Sequence, residues 1–250
     1  MKKYLAEVED LLDRLYIAAE GAGLRLEDRR KAPEVAALLE EVERAASRMS
    51  RRSPLLLVDA AAGKSYVGLL AARLVFEASG RGASVITIER DPLRVDAARR
   101  AAERLGARIP VECRTGAVEE AAAWPQRPSI VTALHACGAA ADAVLDGAVA
   151  SGARTLLLVP CCTSAAVAAS NPASAHAEAL GIPPAAPVRR RFIQSVIDAE
   201  RTLRLEAAGY ETEVVEFVAP TVTPHSLLWR ARLVKAPRRR AAADSGWPPA

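Results

Sequence analysis

Aromatic residues are scarce in this 250-residue chain, at 4% of the total, so few rings are available to stack on exposed nucleobases. Glycine (14) and proline (16) are no more frequent than in ordinary globular proteins, and 51% of the residues are hydrophobic. These values exclude a collagen-like chain and an intrinsically disordered one. A chain of this length buries about 70–75% of its extended surface on folding, so it needs no disulfide or metal to hold it together.

A membrane-spanning segment and a targeting signal are also lacking. The longest stretch without an acidic or basic residue, Thr155–Ala177, contains two prolines and two cysteines and is too polar for a lipid-facing helix. Lys2 and Lys3 are followed within seven residues by three acidic residues, Glu7, Glu9 and Asp10, which is typical of neither a signal peptide nor a mitochondrial presequence. We therefore expect a cytoplasmic protein that does not bind a membrane, with its four cysteines as thiols.

The net charge of +4 is small and unevenly placed. Residues 1–52 carry 11 basic and 11 acidic side chains, whereas the residues after Val234 carry four basic side chains and one acidic one. We expect residues 236–250 to form a disordered basic tail. Such tails more often keep a protein soluble than bind RNA, although RNA stays open as a partner.

Two structural regions precede that tail. Residues 1–52 have apolar residues at helical spacing, and Pro33 is expected in the first turn of the second helix. Residues 53–235 alternate short apolar strands with helices, which predicts a mostly parallel sheet with helices on both faces. Two strands, 211–218 and 227–234, follow each other without a helix and predict an antiparallel pair. The fold class is therefore α/β, a Rossmann-like sheet of seven strands whose last strand is antiparallel. The other strands are expected at 54–59, 83–89, 109–113, 130–134 and 155–159.

A ligand site is predicted where the first strand turns into a helix. The segment from Asp59 to Tyr66 is rich in small residues, so the backbone can approach a ligand closely at the edge where doubly wound sheets bind ligands. It is not a P-loop, because Val58 stands where that motif needs glycine. At the end of the second strand, Glu89 can accept hydrogen bonds from the hydroxyls of a ribose.

Histidine and cysteine follow the next two strands of the same edge. His135 and Cys137 come after the fourth strand, and Cys161 and Cys162 come after the fifth. Because strands four and five are expected to be neighbours, these four side chains are predicted to lie close together. They are candidates to line an acceptor pocket, with His135 as a possible base, although no partner carboxylate for it is evident. Buried cysteines are otherwise usually inert.

The chain resembles the class I methyltransferases of the methyltransferase domain 32 type. The resemblance rests on Asp59–Tyr66, Leu134–Gly138, Val159–Cys162 and Asp198–Val218, within about residues 53–235. It implies S-adenosylmethionine (SAM) as the cofactor and an unknown methyl acceptor. The cofactor-binding residues that it implies are Asp59, Ala60, Ala61, Gly63, Tyr66, Glu89, Arg90, Thr115, Gly116 and His135. The relatives include ribosomal RNA adenine dimethylase-like proteins and glutathione S-transferase C-terminal domain-containing proteins.

Two departures from the family pattern leave alternatives open. Ala61 stands where the family has glycine, and alanine suits the turn only if its φ angle is negative. The Asn/Asp-Pro-Pro-Tyr motif of amino-group methylation is missing, so the adenine-dimethylase activity is not transferred. A methyltransferase is the first hypothesis, and a non-catalytic binding module with the same fold is the alternative. A metal site of His135 and the cysteines is a third hypothesis, although their spacing matches no common zinc signature and no metal ligand is assigned.

Overall fold

The computed structural model describes residues 3–17, 26–160, 164–223 and 226–234. Seven strands form a single sheet in the order β3-β2-β1-β4-β5-β7-β6. Their bounds are β1 Leu55–Ala60, β2 Ala83–Glu89, β3 Val111–Thr115, β4 Ile130–Ala136, β5 Thr155–Pro160, β6 Tyr210–Glu216 and β7 Leu227–Leu233. β1 to β5 are parallel, and β7 is antiparallel to both β5 and β6. The predicted α/β fold class, with its antiparallel last strand, is confirmed.

Helices cover both faces of the sheet. Their bounds are α1 Leu5–Leu12, α2 Leu26–Ser47, α3 Tyr66–Leu70, α4 Pro92–Leu105, α5 Ala139–Ser151, α6 Ser170–Ala179 and α7 Pro187–Ala207. α1 and α3 continue as the π-helical segments Asp13–Ile17 and Ala71–Glu77. α4 has the ends that its sequence predicts, because the Asp91 side chain accepts a hydrogen bond from the Leu93 N–H and Gly106 ends the helix in the left-handed conformation.

Two core clusters lie on opposite faces of the sheet. On one face, α1 and α2 bury Val8 and Leu39 in the same cluster as Leu57 of β1 and Leu157 of β5. On the other face, α5 and α7 pack with Trp229 of β7. The N-terminal helices therefore share a core with the sheet. The division into residues 1–52, 53–235 and 236–250 stays a prediction, and 236–250 lies outside the described residues.

α2 begins earlier than its sequence predicts. Pro33 was expected in the first turn, but the helix starts at Leu26 and Pro33 lies in its interior. A proline there has no N–H for the carbonyl four residues before it, at a typical cost of about 3 kcal/mol. The apolar face that follows is fully buried, including Val35, Leu38 and Val42. Burial of that face offsets the cost, so α2 tolerates an interior proline.

Candidate active site

The loop between β1 and α3 turns through three left-handed residues. Ala61, Gly63 and Ser65 have φ angles of 51°, 58° and 61°. Ala61 therefore does not meet the condition of a negative φ under which alanine would suit this turn. Left-handed backbone costs about 1–2 kcal/mol for a residue with a Cβ, so Ala61 and Ser65 are strained where glycine would not be. The loop is held in this path because the Ala62 N–H donates to the Ile88 carbonyl at 3.0 Å.

Asp59, near the end of β1, joins the start of α3 to the neighbouring strand β4. Its buried carboxylate accepts hydrogen bonds from the Gly68 N–H at 2.8 Å and from the Thr132 hydroxyl at 3.2 Å. Burial raises the pKa of Asp59 to about 7, against the lowering effect of these two hydrogen bonds. A Cβ on Gly68 would lie 3.0 Å from Thr87 Cγ2 and 3.1 Å from Asp59 Cβ, which is tighter than ordinary contact, so a glycine suits this close approach. Sequence reasoning missed Gly68.

Glu89 joins the end of β2 to the same loop. Its buried carboxylate accepts a hydrogen bond from the Gly63 N–H at 2.8 Å through Oε2, and from the Asp91 N–H at 3.0 Å through Oε1. Each carboxylate oxygen has two lone pairs, so both can still accept one more donor. The neighbouring strand β3 ends beside it, since the Gly116 N–H donates to the Glu89 carbonyl at 3.0 Å and Thr115 pairs with Glu89 in register.

His135 occupies an irregular position in β4. Leu134 pairs with Val159 and Ala136 with Pro160, so β4 has one extra residue, His135, between two consecutive residues of β5. Its φ angle of 61° is left-handed. This arrangement is a β-bulge, a feature that turns a side chain out of the normal alternation and is frequent beside active sites.

A carboxylate partner for His135 comes from α2. The ring Nε2 lies 2.9 Å from Oε2 of Glu34, which is 101 residues earlier in the sequence. The Glu34 side chain is 5% exposed and that of His135 is 28% exposed. Sequence reasoning missed Glu34. The available signal was an acidic residue within the apolar stripe of α2, between Ala32 and Leu38.

The predicted cysteines contribute less to the described site. Cys137 is exposed and disulfide-bonded in the structure, so the expectation of a thiol there is wrong. Cys161 and Cys162 lie outside the described residues, directly after Pro160. Among the residues that the structure describes, no three histidine, cysteine or acidic side chains are grouped to hold a metal ion. No helix in this described part has the length and apolarity to cross a membrane.

A cavity of about 370 Å³ opens between these elements and α2. The β1 side of its wall consists of Asp59, Ala61, Ala62, Gly63, Lys64, Tyr66 and Val67. The opposite wall consists of Lys31, Val35, Arg94, Leu134 and His135. The predicted residues Asp59, Ala61, Gly63, Tyr66 and His135 thus line one cavity. The other predicted residues, Ala60, Glu89, Arg90, Thr115 and Gly116, are at the ends of β1, β2 and β3 beside it.

The N-terminal region closes one side of this cavity. The Tyr16 hydroxyl donates to the Lys64 carbonyl at 2.8 Å, and its ring packs edge-on against that of Tyr66, with centroids 4.6 Å apart. Burial raises the pKa of Tyr16 well above its ordinary value, so the phenol stays protonated and can donate. Lys31 Nζ lies 5.9 Å from the centre of the Tyr66 ring. Residues before Leu55 are therefore part of the site.

A larger cavity of about 740 Å³ lies at the opposite, amino edge of the sheet. It is lined chiefly by charged side chains: Glu41, Arg44, Arg48, Arg154, Glu211, Glu213, Arg230 and Arg232. Most of these pair with one another. Arg230 forms a two-bond pair with Glu41 at 2.8 Å, Arg44 joins Glu41 at 2.9 Å, and Arg232 pairs with Glu211. Such mutual pairing leaves little charge for a ligand, so we do not take this cavity as the active site.

Comparisons with known proteins agree with this geometry. A family model described as a methyltransferase domain matches residues 30–168. No curated protein matches the chain. The SAH-bound methyltransferase PaMTH1 of Podospora anserina is 14% identical, with a TM-score of 0.52 over 94% of this chain and 89% of that one.

Two further solved structures have the same fold. SAH-bound magnesium protoporphyrin IX methyltransferase (ChlM) of Synechocystis PCC 6803 is 15% identical, with a TM-score of 0.50 over 92% of this chain and 95% of that one. The CurJ carbon methyltransferase is 11% identical, with a TM-score of 0.54 over 92% of this chain and 67% of that one. At these identities the likeness establishes the fold, which is that of class I methyltransferases.

Proposed function

The chain belongs to the methyltransferase domain family, and we propose that it transfers a methyl group from SAM to an acceptor at the carboxyl edge of the sheet. The observation that carries this proposal is the cavity of about 370 Å³ at that edge, which the β1–α3 loop shares with His135. In open α/β sheets this is the edge where ligands bind. The acceptor stays open between RNA, protein and a small molecule, and a cytoplasmic location stays a prediction.

The residues at this edge suit SAM as a ligand. Glu89 is fixed by two backbone N–H groups, and its spare lone pairs would accept the two ribose hydroxyls. Gly63 leaves open space where a Cβ would stand, so the loop backbone offers a close approach. Lys31, Lys64 and Arg94 give the cavity cationic side chains that would receive a carboxylate. Thr115 and Gly116, at the end of β3, would lie beside the adenosine.

The protein's own contribution is chiefly alignment. Bound SAM supplies a methyl group that its sulfonium has already activated, so holding donor and acceptor in line provides much of the rate, up to about 7–11 kcal/mol in ideal cases. His135 would shape the acceptor side of the cavity and take a proton from an acceptor that has to lose one. Cys137, Cys161 and Cys162 remain candidates to shape the same side, with Cys137 acting through its backbone and disulfide.

One observation favours the alternative of a non-catalytic binding module. Ala61, which lines the cavity, has a φ of 51° where the family has glycine. A side chain at this point narrows the space for a ligand. In that alternative the fold would hold a protein or RNA partner and would not bind SAM.

Titration calorimetry with SAM and with SAH on the purified chain tests the proposal. We expect both to bind, and we expect Glu89→Ala to weaken SAM by about 1–3 kcal/mol, because the ribose hydroxyls lose their acceptor. Glu103→Ala, the same change at an exposed position of α4, is the matched control and should leave the affinity unchanged.

The outcomes separate the two functions. If the unmodified chain binds neither SAM nor SAH, methyl transfer is wrong and the binding module stands. If SAM binds equally well to the folded Glu89→Ala variant, Glu89 does not hold the ribose. Because Glu89 also anchors Gly63 and Asp91, circular dichroism and a thermal melt of the variant must first establish that it is folded.

A further inference from the structure

Glu34 is a buried acidic residue that nothing in the fold requires. It is 4% exposed, and the buried residues nearest to it on α2, such as Val35, Leu38 and Leu39, are apolar. Removing a carboxylate from water is costly unless hydrogen bonds satisfy its oxygens. An apolar side chain would fill this place at lower cost, so Glu34 needs a reason other than packing.

The hydrogen bonds of Glu34 satisfy one oxygen and not the other. Oε2 lies 2.9 Å from His135 Nε2, whereas Oε1 is buried and has no hydrogen-bond partner among the described residues. Unsatisfied buried polar groups are a small minority in folded proteins, and each one calls for a physical explanation. Glu41, seven residues further along the same helix, is the contrast, because both of its oxygens are paired with arginines.

The backbone of His135, the other member of the pair, is also in an unfavourable conformation. His135 is the extra residue of a β-bulge and has a left-handed φ of 61°. A regular β4 would avoid that strain, but His135 would then keep the normal alternation of the strand. Glu34 directly follows the interior proline of α2, which has its own cost. Three unfavourable features of two distant segments therefore meet at one hydrogen bond.

From this juxtaposition we infer that Glu34 is the positioning residue of His135. An ionised carboxylate only accepts, so Nε2 has to carry the ring proton, and the lone pair of the neutral ring is then on Nδ1. Glu34 thereby fixes both the tautomer and the orientation of the ring at the wall of the cavity. As far as it concerns methyl transfer, this inference rests on the proposed function.

The pair has a defined role if the acceptor loses a proton. The proton leaves the acceptor's O–H or N–H group and binds Nδ1, while the bonding electron pair stays on the acceptor atom that receives the methyl group. His135 then becomes an imidazolium, whose positive charge lies next to the Glu34 carboxylate. Because α2 supplies that carboxylate, the N-terminal helical region belongs to the catalytic unit and is not only a cover.

Nitrogen-15 NMR of the histidine rings tests the inference without any methyl acceptor. The chain has three histidines, so ring-labelled protein gives three spin systems, and His135→Asn identifies the one that matters. The spectra are recorded at about pH 9, because the two nitrogen shifts of a histidine ring report its tautomer when the ring is not protonated. We expect the Nε2–H form in the unmodified chain, and a mixture of both tautomers in Glu34→Ala.

Two other variants make the result specific. Glu34→Gln keeps the volume of the side chain in case Glu34→Ala does not fold, and its amide, which both donates and accepts, should also allow both tautomers. Glu41→Gln removes a buried α2 carboxylate elsewhere and should leave the His135 shifts unchanged. Identical His135 shifts in the unmodified chain and in folded Glu34 variants would overturn the inference, as would an equal change caused by Glu41→Gln.

SAM affinity separates this inference from the proposed function. A positioning residue does not touch the cofactor, so the Glu34 variants should bind SAM and SAH within about twofold of the unmodified chain in calorimetry. A loss of more than about tenfold would make Glu34 a cofactor ligand and overturn the positioning role. If the unmodified chain does not bind SAM but Glu34 still fixes the tautomer, methyl transfer fails and the pairing of Glu34 with His135 stands.

Discussion

The two edges of the sheet carry cavities of opposite character. At the amino edge, a cavity of about 740 Å³ is lined by arginines and glutamates that pair with one another. At the carboxyl edge, a cavity of half that volume is lined by two non-glycine residues with left-handed backbone, Ala61 and His135, and beside it lies a buried carboxylate with an unpartnered oxygen. α2 reaches both edges, since its Lys31 lines one cavity and its Arg44 lines the other.

The two edges therefore differ in the buried carboxylate beside the smaller cavity, which keeps one oxygen without a partner, whereas the buried Glu41 carboxylate at the amino edge has both oxygens paired with arginines. At the amino edge most of the charged side chains pair with one another, although the Thr212 hydroxyl in that cavity is buried without a hydrogen-bond partner among the described residues and Arg127, before β4, has a left-handed φ of 53°. Strained and half-satisfied groups at the carboxyl edge lower stability, and proteins keep such groups chiefly where a ligand or a reaction uses them. The predictions below test whether the two edges differ in this way.

Asp59 should give the largest effect, through pH. Its pKa of about 7 in the folded chain lies above the ordinary 3.8, so the folded state holds the proton more tightly. The group therefore contributes stability that is complete below pH 4 and is lost as the pH rises through 7. Between pH 5 and pH 8 the loss amounts to roughly 3 kcal/mol. Asp59→Asn, which does not titrate, should lack this loss.

Urea unfolding at pH 5 and at pH 8 gives the free energy of unfolding of the variant and of the unmodified chain at each pH. The free energy of unfolding of Asp59→Asn, relative to that of the unmodified chain, should rise by the same amount between the two pH values. Asp96→Asn, at an exposed site on α4, is the control and should give no such rise. Equal pH dependence in Asp59→Asn and the unmodified chain would mean that Asp59 is not a strained acid.

Two glutamates of α2 provide the most direct comparison of the edges. Glu41→Gln breaks charge-assisted hydrogen bonds to Arg44 and Arg230 and should lower the free energy of unfolding by about 2 kcal/mol. Glu34→Gln removes a buried charge of which only one oxygen has a hydrogen-bond partner. This variant should change the free energy of unfolding by less than about 1 kcal/mol. Urea unfolding of both variants is the measurement. A larger loss of stability in Glu34→Gln than in Glu41→Gln would show that Glu34, and not Glu41, has the structural role.

Ala61 should give the smallest effect. Ala61→Gly relieves the left-handed strain but gains freedom in the unfolded chain, so we expect a net stabilisation of about 0.5–1 kcal/mol. Ala62→Gly, the next residue, does not have a positive φ and should be destabilising by a similar amount. Chemical unfolding measures both changes, and calorimetry shows whether Ala61→Gly also strengthens SAM binding. Destabilisation by both changes would mean that the loop is not strained at Ala61.

The sequence predicts the strands well because their signals are local. Apolar runs place all seven strands within about two residues of their observed bounds, and the Asp91 cap and Gly106 place both ends of α4. The errors have physical causes too. Pro33 predicts a helix start, but α2 spans Leu26–Ser47 and tolerates the proline in its interior, because the apolar face that follows it is buried. α6 was not predicted, because Ser170–Ala179 is rich in small residues and has only two buried positions, Ala173 and Ala177.

The site is less accessible to sequence reasoning because its key contacts are not local. Asp59, Glu89 and His135 are recognisable by their positions at strand ends, and the structure brings all three to one edge. The His135–Glu34 pair joins residues 101 positions apart, which no spacing rule connects. The sequence alone leaves the φ of Ala61 open, because the hydrogen bonds that join the loop to β2 decide its path.

The order of the last two strands has a consequence for how the chain is made. β6 reaches the sheet only through β7, which lies between it and β5. Until residue 233 has left the ribosome, β6 therefore has no neighbour, and β5 presents an open edge made of Leu156, Leu157 and Leu158. Unpaired apolar strand edges are prone to pair with other chains. A nascent chain that pauses before β7 should depend on chaperones, and a deletion of β7 should aggregate although most of the core is already present.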